Sequence, residues 1–318
     1  MKKNRRSPVA AVLCAIVLLA GCAGNNDGGQ QTGAQTETAA ETDLTVGEID
    51  GKRPDRYKLK ASTEAGNSGD VTIQPGDTYA VITVRDFGEI KVKLFPNLAP
   101  YSVYNFTEIA KRGDYNGRSF HRILENFMIQ GGSPDGGGGG GECFDGGTFK
   151  NEVNTSLRHY YGALCYAASG IGDISDGFYI VNSKVNDTDD LGKMYDNLAF
   201  NSSFTATVNQ YYIEALEPDT ENYDLLMKYY TGSLIYNSAI VEGVSAMKKT
   251  ITDAVTKTYA EKGGRSSLDG SYTVFGQTVE GFDVIDKITA VEKTVGVDGK
   301  ESKPVDDIII EKVEIFTA

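Results

Sequence analysis

From Tyr79 onward the chain reads as short alternating segments. YAVITV and EIKVKLF place apolar residues at every second position on either side of Asp86-Phe87-Gly88, the pattern of a β-hairpin. Pro96 and Pro100 then interrupt the chain. In APYSVYNFTEIAKRG, Val103, Phe106, Ile109 and Ala110 fall on one face of an amphipathic helix that Gly113 ends. Four further strand candidates follow: SFHRIL, FMIQ, GALCYA and GFYIVNS. Towards the C-terminus come YTVFGQTV, a short helix around GFDVIDKITAV, and the alternating strand DIIIEKVEIF. Many short strands, glycine-rich turns and only two helices among them predict a mainly β protein built as a barrel.

Residues 186–266 follow another rhythm. Ile240, Val244, Met247, Ile251, Val255 and Tyr259 recur every three or four positions, which predicts one helix ending at Gly263-Gly264. Asp253, Lys257 and Glu261 add i,i+4 charge pairs to it. Phe204, Val208, Tyr211, Tyr212 and Ala215 predict a second helix, and Tyr223 to Tyr230 a third, after Pro218-Asp219.

The N-terminus reads as an address. MKKNRR precedes an apolar run from Val9 to Leu19, too short to span a bilayer and shaped like a secretory signal. Leu19-Ala20-Gly21-Cys22 resembles a bacterial lipobox, which implies removal of residues 1–21 and acylation of Cys22. Residues 23–56 lack aromatics and are rich in Gly, Gln, Thr, Ala and Glu, so 22–76 is expected to be a disordered tether. A coil from Cys22 to Tyr79 spans on the order of 40 Å. The folded domain is then 77–318, interrupted by 186–266, at an extracytoplasmic, lipid-anchored address.

Composition removes several functions. The 318 residues carry a net charge of −13, and four of the cations lie in the leader. Such a surface does not suit nucleic acid or an anionic lipid face. Two histidines, His121 and His159, exclude a histidine-rich metal site, and there is no G-x-S-x-G, P-loop or HExxH motif. Of four cysteines, Cys14 leaves with the leader and Cys22 carries lipid. Cys143 and Cys165 either pair or remain one buried and one loop thiol. The six glycines Gly136–Gly141 lack the strand and helix of a phosphate loop and read as a mobile loop.

Phe120-His121-Arg122-Ile123-Leu124 followed by Phe127-Met128-Ile129-Gln130-Gly131-Gly132 resembles the signature of the cyclophilin peptidyl-prolyl isomerases. The likeness extends through Ala99-Pro100, Asn105-Phe106, Tyr115-Asn116-Gly117, Gly162-Ala163-Leu164, Phe178-Tyr179-Ile180 and Leu268-Asp269-Gly270 to Val274-Phe275-Gly276. It covers about 79–185 and 267–318. The resemblance implies an eight-stranded antiparallel barrel capped by two helices, with 186–266 as an inserted helical subdomain. It implies an isomerase of Xaa-Pro bonds in polypeptides, without a cofactor or metal; the sequence leaves the oligomeric state open, and a monomer is expected.

The resemblance assigns the catalytic part to Arg122, held by Gln130, which also binds substrate backbone. Phe127 and Met128 form the proline floor and Tyr179 the wall. Leu268 closes the far side, Ala167 offers backbone contacts, Tyr272 donates a hydrogen bond, and His121 lies beside the site. The sequence departs from the family at Ser267, where Trp is frequent, and at Tyr272, Ala168, Gly177 and Tyr179. These departures leave open a second reading, a weak or inactive cyclophilin-like chaperone or adaptor for Pro-containing segments. The insert is either a lid or second surface for unfolded chain, or a packed decoration.

Overall fold

The computed structural model describes residues 43–45, 71–139, 141–170, 172–185 and 191–318. Cys22, the leader and most of the segment read as a tether lie outside them. Within that segment β1 (Asp43–Thr45) pairs antiparallel with β6 (Glu152–Asn154).

β2 (Thr78–Val84) and β3 (Gly88–Leu94) form the expected hairpin, with Asp86 left-handed in its turn. Helix α1 (Pro100–Arg112) begins with a proline whose missing N–H costs nothing there, and ends at left-handed Gly113. Buried Glu152 accepts from the backbone N–H groups of Tyr101 and Ser102, so a carboxylate meets the positive end of the helix. There follow β4 (Ser119–Leu124), β5 (Met128–Gly131), β7 (Ala163–Ala168) and β8 (Ile174–Val181). After the insert come β9 (Val274–Glu280), α5 (Phe282–Thr289), the small hairpin β10 (Lys293–Val295) and β11 (Glu301–Pro304), and β12 (Ile308–Thr317).

Eight strands close in the order β12-β2-β3-β9-β7-β8-β5-β4, all neighbours antiparallel, as the resemblance implies. Closure removes free sheet edges and forces alternate residues inward. The interior is filled by rings: Phe106 of α1 meets Tyr115, Phe178 and Phe275 at centroid distances of 5.2 to 5.6 Å. Gly132, after β5, is left-handed at φ 85°, and a Cβ there would lie 2.7 Å from the Phe178 ring. The second glycine of FMIQGG is thereby explained by packing.

The insert contains α2 (Leu191–Ala215), α3 (Tyr223–Lys249) and α4 (Asp253–Lys262), then a single 3-10 turn at Ser266–Leu268. α2 and α3 lie antiparallel: Asn209 bonds Ser233 at 2.8 Å, Tyr212 stacks on Tyr230, and Lys248 pairs with Asp196 at 2.6 Å. The helix boundaries differ from expectation. The stretch from Tyr223 to Tyr230 continues unbroken through Ile240, whereas the run from Ile240 to Tyr259 is cut after Lys249. The cut has two causes. Arg158 Nη2 donates to the Met247 carbonyl and the Thr250 hydroxyl, satisfying the C-terminal end of α3. Thr252 then accepts from the Val255 amide and starts α4.

One carboxylate ties the insert to the barrel. Asp269 is fully buried, and its Oδ2 accepts from the hydroxyls of Tyr195 and Tyr259, each at 2.7 Å. Its Oδ1 faces Nδ1 of His159 at 2.8 Å, and Arg158 lies 3.5 Å from Oδ2. Burial pushes the Asp269 carboxyl up. Hydrogen bonding from His159 and the Arg158 charge more than reverse this and hold it below the ordinary carboxylate value. Such a depressed group stabilises the fold above its unfolded pKa of about 3.9 and loses that contribution as pH falls through the folded value. Urea unfolding should therefore show an acid limb below about pH 4 that Asp269→Asn flattens. At neutral pH, Arg158→Met should cost about 3–5 kcal/mol, since it leaves a buried charge underpaired.

Candidate functional site

The predicted residues gather on the outer face of the barrel, over β4, β5, β8 and β7. Ile129 points inward, so Met128 and Gln130 point outward. Phe178 and Ile180 fill the interior, which turns Tyr179 out. Arg122 lies opposite Gln130 across β4 and β5, Gln130 opposite Tyr179, and Tyr179 opposite Cys165. Simple alternation would not put both His121 and Arg122 outside. A bulge between Phe120 and Arg122 does so: Phe120 and Ile123 are fully buried, and the two residues between them face out.

Arg122 is held along its length. Its Nε donates to Asp298 Oδ2 at 2.8 Å, and its Nη1 lies 3.3 Å from Gln130 Oε1 and 4.0 Å from Met128 Sδ. The guanidinium carbon sits 5.9 Å from the centre of the Phe127 ring, a cation–π distance. Neither bond uses Nη2, and the side chain retains 27% of its exposure. The β4–β5 turn that presents Phe127 is fixed by Asn182, whose Oδ1 accepts from the Phe127 amide at 2.8 Å.

Asp298 did not emerge from the sequence. It stands in the β10–β11 turn, far from Arg122 in the chain, and nothing in Val-Asp-Gly-Lys marks it as more than turn chemistry. Partial burial pushes its carboxyl up, but hydrogen bonds from Arg122 and Ser302 outweigh that and hold it below the ordinary value. A second guanidinium was equally unmarked: Arg265, just after α4, lies 5.5 Å from the centre of the Phe127 ring.

The wall is aromatic. Tyr179 is 5% exposed, and Tyr272 meets its ring edge-on at 6.4 Å. A buried phenol needs a partner for its hydroxyl. His159 provides one, with Nε2 3.1 Å from the Tyr179 oxygen while its Nδ1 faces Asp269. A tyrosine is thus accommodated in the wall, its hydroxyl paired with His159. Leu268 is half-buried at the end of the 3-10 turn, and its carbonyl accepts from the Tyr272 amide. Ala167 is half-buried on β7, two residues beyond Cys165.

His121 turns away from Arg122. Its Nδ1 lies 3.3 Å from Ser133 Oγ, and Gly138 of the glycine loop lies against Nε2. Burial, opposed by the Asp135 carboxylate, pushes its pKa below the usual value, so at neutral pH it is a neutral ring. The loop is pinned by Asp135, which accepts from the amides of Gly137 and Gly139, and by Ser133, which accepts from Gly138. Cys143 and Cys165 do not form the disulfide: Cys165 is buried on β7, and Cys143 lies in the loop after the glycine run, itself buried, with its thiol 3.6 Å from the Ile174 carbonyl. Among the described residues no group of His, Cys, Asp and Glu is arranged to hold a metal.

Residues 79–315 match the family model described as cyclophilin type peptidyl-prolyl cis-trans isomerase/CLD. A curated Staphylococcus aureus protein named "Putative peptidyl-prolyl cis-trans isomerase" is 30% identical over 76% of this chain and 94% of its own. A Staphylococcus haemolyticus protein of the same name is 30% identical over 72% of this chain and 86% of its own. The crystal structure of a Cryptosporidium parvum cyclophilin type peptidyl-prolyl cis-trans isomerase is 20% identical, with a TM-score of 0.47. The likeness covers 76% of this chain and 99% of that one.

The ion pair is testable by itself. The Arg122 Nε–H should give a slowly exchanging NMR signal that persists as pH falls through the ordinary carboxylate range, about pH 4, because Asp298 titrates lower. Asp298→Ala should abolish the signal, and Asp298→Asn should keep it, weakened. A signal unaffected by Asp298→Ala would show that the pair does not hold the side chain.

Proposed function

The chain belongs to the cyclophilin-type peptidyl-prolyl cis-trans isomerase family, and we propose that Arg122 is the group that stabilises the twisted prolyl amide. Rotation about an Xaa-Pro bond forfeits amide resonance, a barrier of about 18–20 kcal/mol, and uncatalysed exchange takes tens of seconds. No bond is made or broken, so the task is to bind the twisted amide better than either planar form. When resonance is lost the prolyl nitrogen regains its lone pair and becomes an acceptor. A guanidinium directed at it forms a bond that strengthens on the way to the transition state. A ten-thousandfold acceleration needs about 5.5 kcal/mol of such differential binding.

The observation that carries this reading is the anchoring of Arg122. Asp298 and Gln130 engage Nε and Nη1, neither bond uses Nη2, and the side chain keeps 27% of its exposure. An orientation fixed before substrate arrives costs no reorganisation at the moment of twisting. Phe127 and Met128 offer the apolar surface for the ring, and Tyr179 and Tyr272 bound it. The substrates are proline-containing stretches of polypeptide. With the leader and Cys22 read as a lipid anchor, the setting is a bacterial envelope, and the role is to assist folding of secreted or surface proteins.

Cis–trans exchange of an Ala-Pro tetrapeptide, followed by NMR, tests this with the full chain. The parent should accelerate exchange. Arg122→Ala should lower kcat/KM by about 10²–10³, the usual loss of one transition-state donor. Arg122→Lys should recover little, because an ammonium cannot reach Asp298, Gln130 and the amide together. Binding without faster exchange would assign the protein to the adaptor reading.

A further inference from the structure

The insert reaches the candidate site at Arg265, over the Phe127 ring, and at Tyr236 of α3, beside the pocket wall. Tyr236 lies against Gly172, where a Cβ would come within 2.4 Å of its ring, and its hydroxyl donates to the carbonyl of Ser271, the residue before Tyr272, at 3.4 Å. At 100° per residue, Tyr236, Tyr229 and Leu225 lie within about 40° of one another on α3. The helix face that meets the pocket wall therefore continues outward to the free end of the α2–α3 hairpin. There it is uncovered: Leu225 is 66% exposed and Tyr229 40%. Rings continue it across the hairpin, since Tyr229 meets Tyr230, Tyr230 stacks on Tyr212 at 4.9 Å, and Tyr212 meets Tyr211, which is 68% exposed.

The charge around this face is mostly of one sign, with the exposed Lys228 as the exception. No lysine or arginine occurs from 194 to 227, whereas Glu214, Glu217, Asp219, Glu221 and Asp224 are all exposed at the hairpin end. Such a surface repels anionic lipid and nucleic acid, and a second copy of the chain would bring the same charge against it. It complements a cationic polypeptide, whose Lys and Arg side chains can meet both carboxylates and tyrosine faces.

We propose that the α3 face from Tyr236 to Leu225 is a track for an unfolded polypeptide whose proline occupies the barrel site, and that the hairpin end selects segments carrying Lys or Arg. The proposal rests on the isomerase reading and adds a substrate preference to it. Eleven residues of helix span about 16 Å. Extended chain covers that in about five residues, so the basic residues should lie about five to ten positions from the proline.

The test uses the full chain and peptides containing one Ala-Pro. One is a tetrapeptide. The long ones carry Lys and Arg, or Glu in their place, about five to ten positions before or after the proline. For at least one placement, kcat/KM for the basic peptide should exceed that of its acidic counterpart by about fivefold, mainly through KM, and the gap should shrink in high salt. Two double variants, Leu225→Ser with Tyr229→Ser and Glu217→Lys with Glu221→Lys, should each remove the preference. Unchanged tetrapeptide turnover would show that the barrel is intact. Equal turnover of basic and acidic peptides by the parent, or a preference that survives in both variants, would overturn the track. A parent dimer that dissociates on Leu225→Ser and Tyr229→Ser would overturn it too, by assigning the face to self-association. If no peptide is isomerised, the isomerase reading fails, and the track is then judged by binding. Shifts of the Tyr229 ring signals with the basic peptide alone would support it, and their absence would overturn it.

Discussion

A carboxylate sealed from water must be met by donors on every side, and Asp269 is the point where that requirement joins three parts of the molecule. Tyr195 and Tyr259 reach it from the insert, and His159 from the loop before β7. Through the other nitrogen of His159 the chain of bonds ends on Tyr179, the wall of the site. The same cluster holds Arg158, which closes the end of α3. Attachment of the insert, the end of its longest helix and the setting of the wall thus share one buried charge. Buried pairs of this kind contribute modestly against apolar substitutes but are costly to break, so their value lies in fixing one arrangement.

The barrel imposes the other constraint. Its interior is filled with rings and aliphatic side chains, so chemistry has to be displayed on the outside of the sheet. A sheet face is rigid, but a single side chain standing on it is not. Arg122 becomes a defined donor because the bulge turns it out, Gln130 lies across from it, and Asp298 takes its Nε from a separate hairpin.

Much of this was legible in the chain because barrel strands alternate and Arg122, Met128 and Gln130 lie on two strands adjacent in sequence. The β2–β3 hairpin, α1, α5 and the row of Arg122, Met128, Gln130 and Tyr179 follow from period and spacing together with a family likeness. What escaped was set by distant partners. The break between Lys249 and Asp253 depends in part on Arg158, about ninety residues away, and only the Thr252 cap of the next helix is local to it. Asp298 reads as a turn residue until the hairpin brings it to Arg122. Cys143 and Cys165, a pair by compartment, do not form a disulfide: one is buried in the loop after the glycine run and the other on β7.

The chain leaves for the insert and returns from it at almost the same place. A Cβ on Gly263 would collide with the backbone of Lys184, and the amide of Arg265 bonds the carbonyl of His159. To the barrel, three helices therefore amount to one loop, whose closure entropy grows only logarithmically with its length. Such a junction tolerates exchange of whole segments without disturbing strand register. One barrel can in this way carry appendages of different length and shape without any change to its own strand pairing.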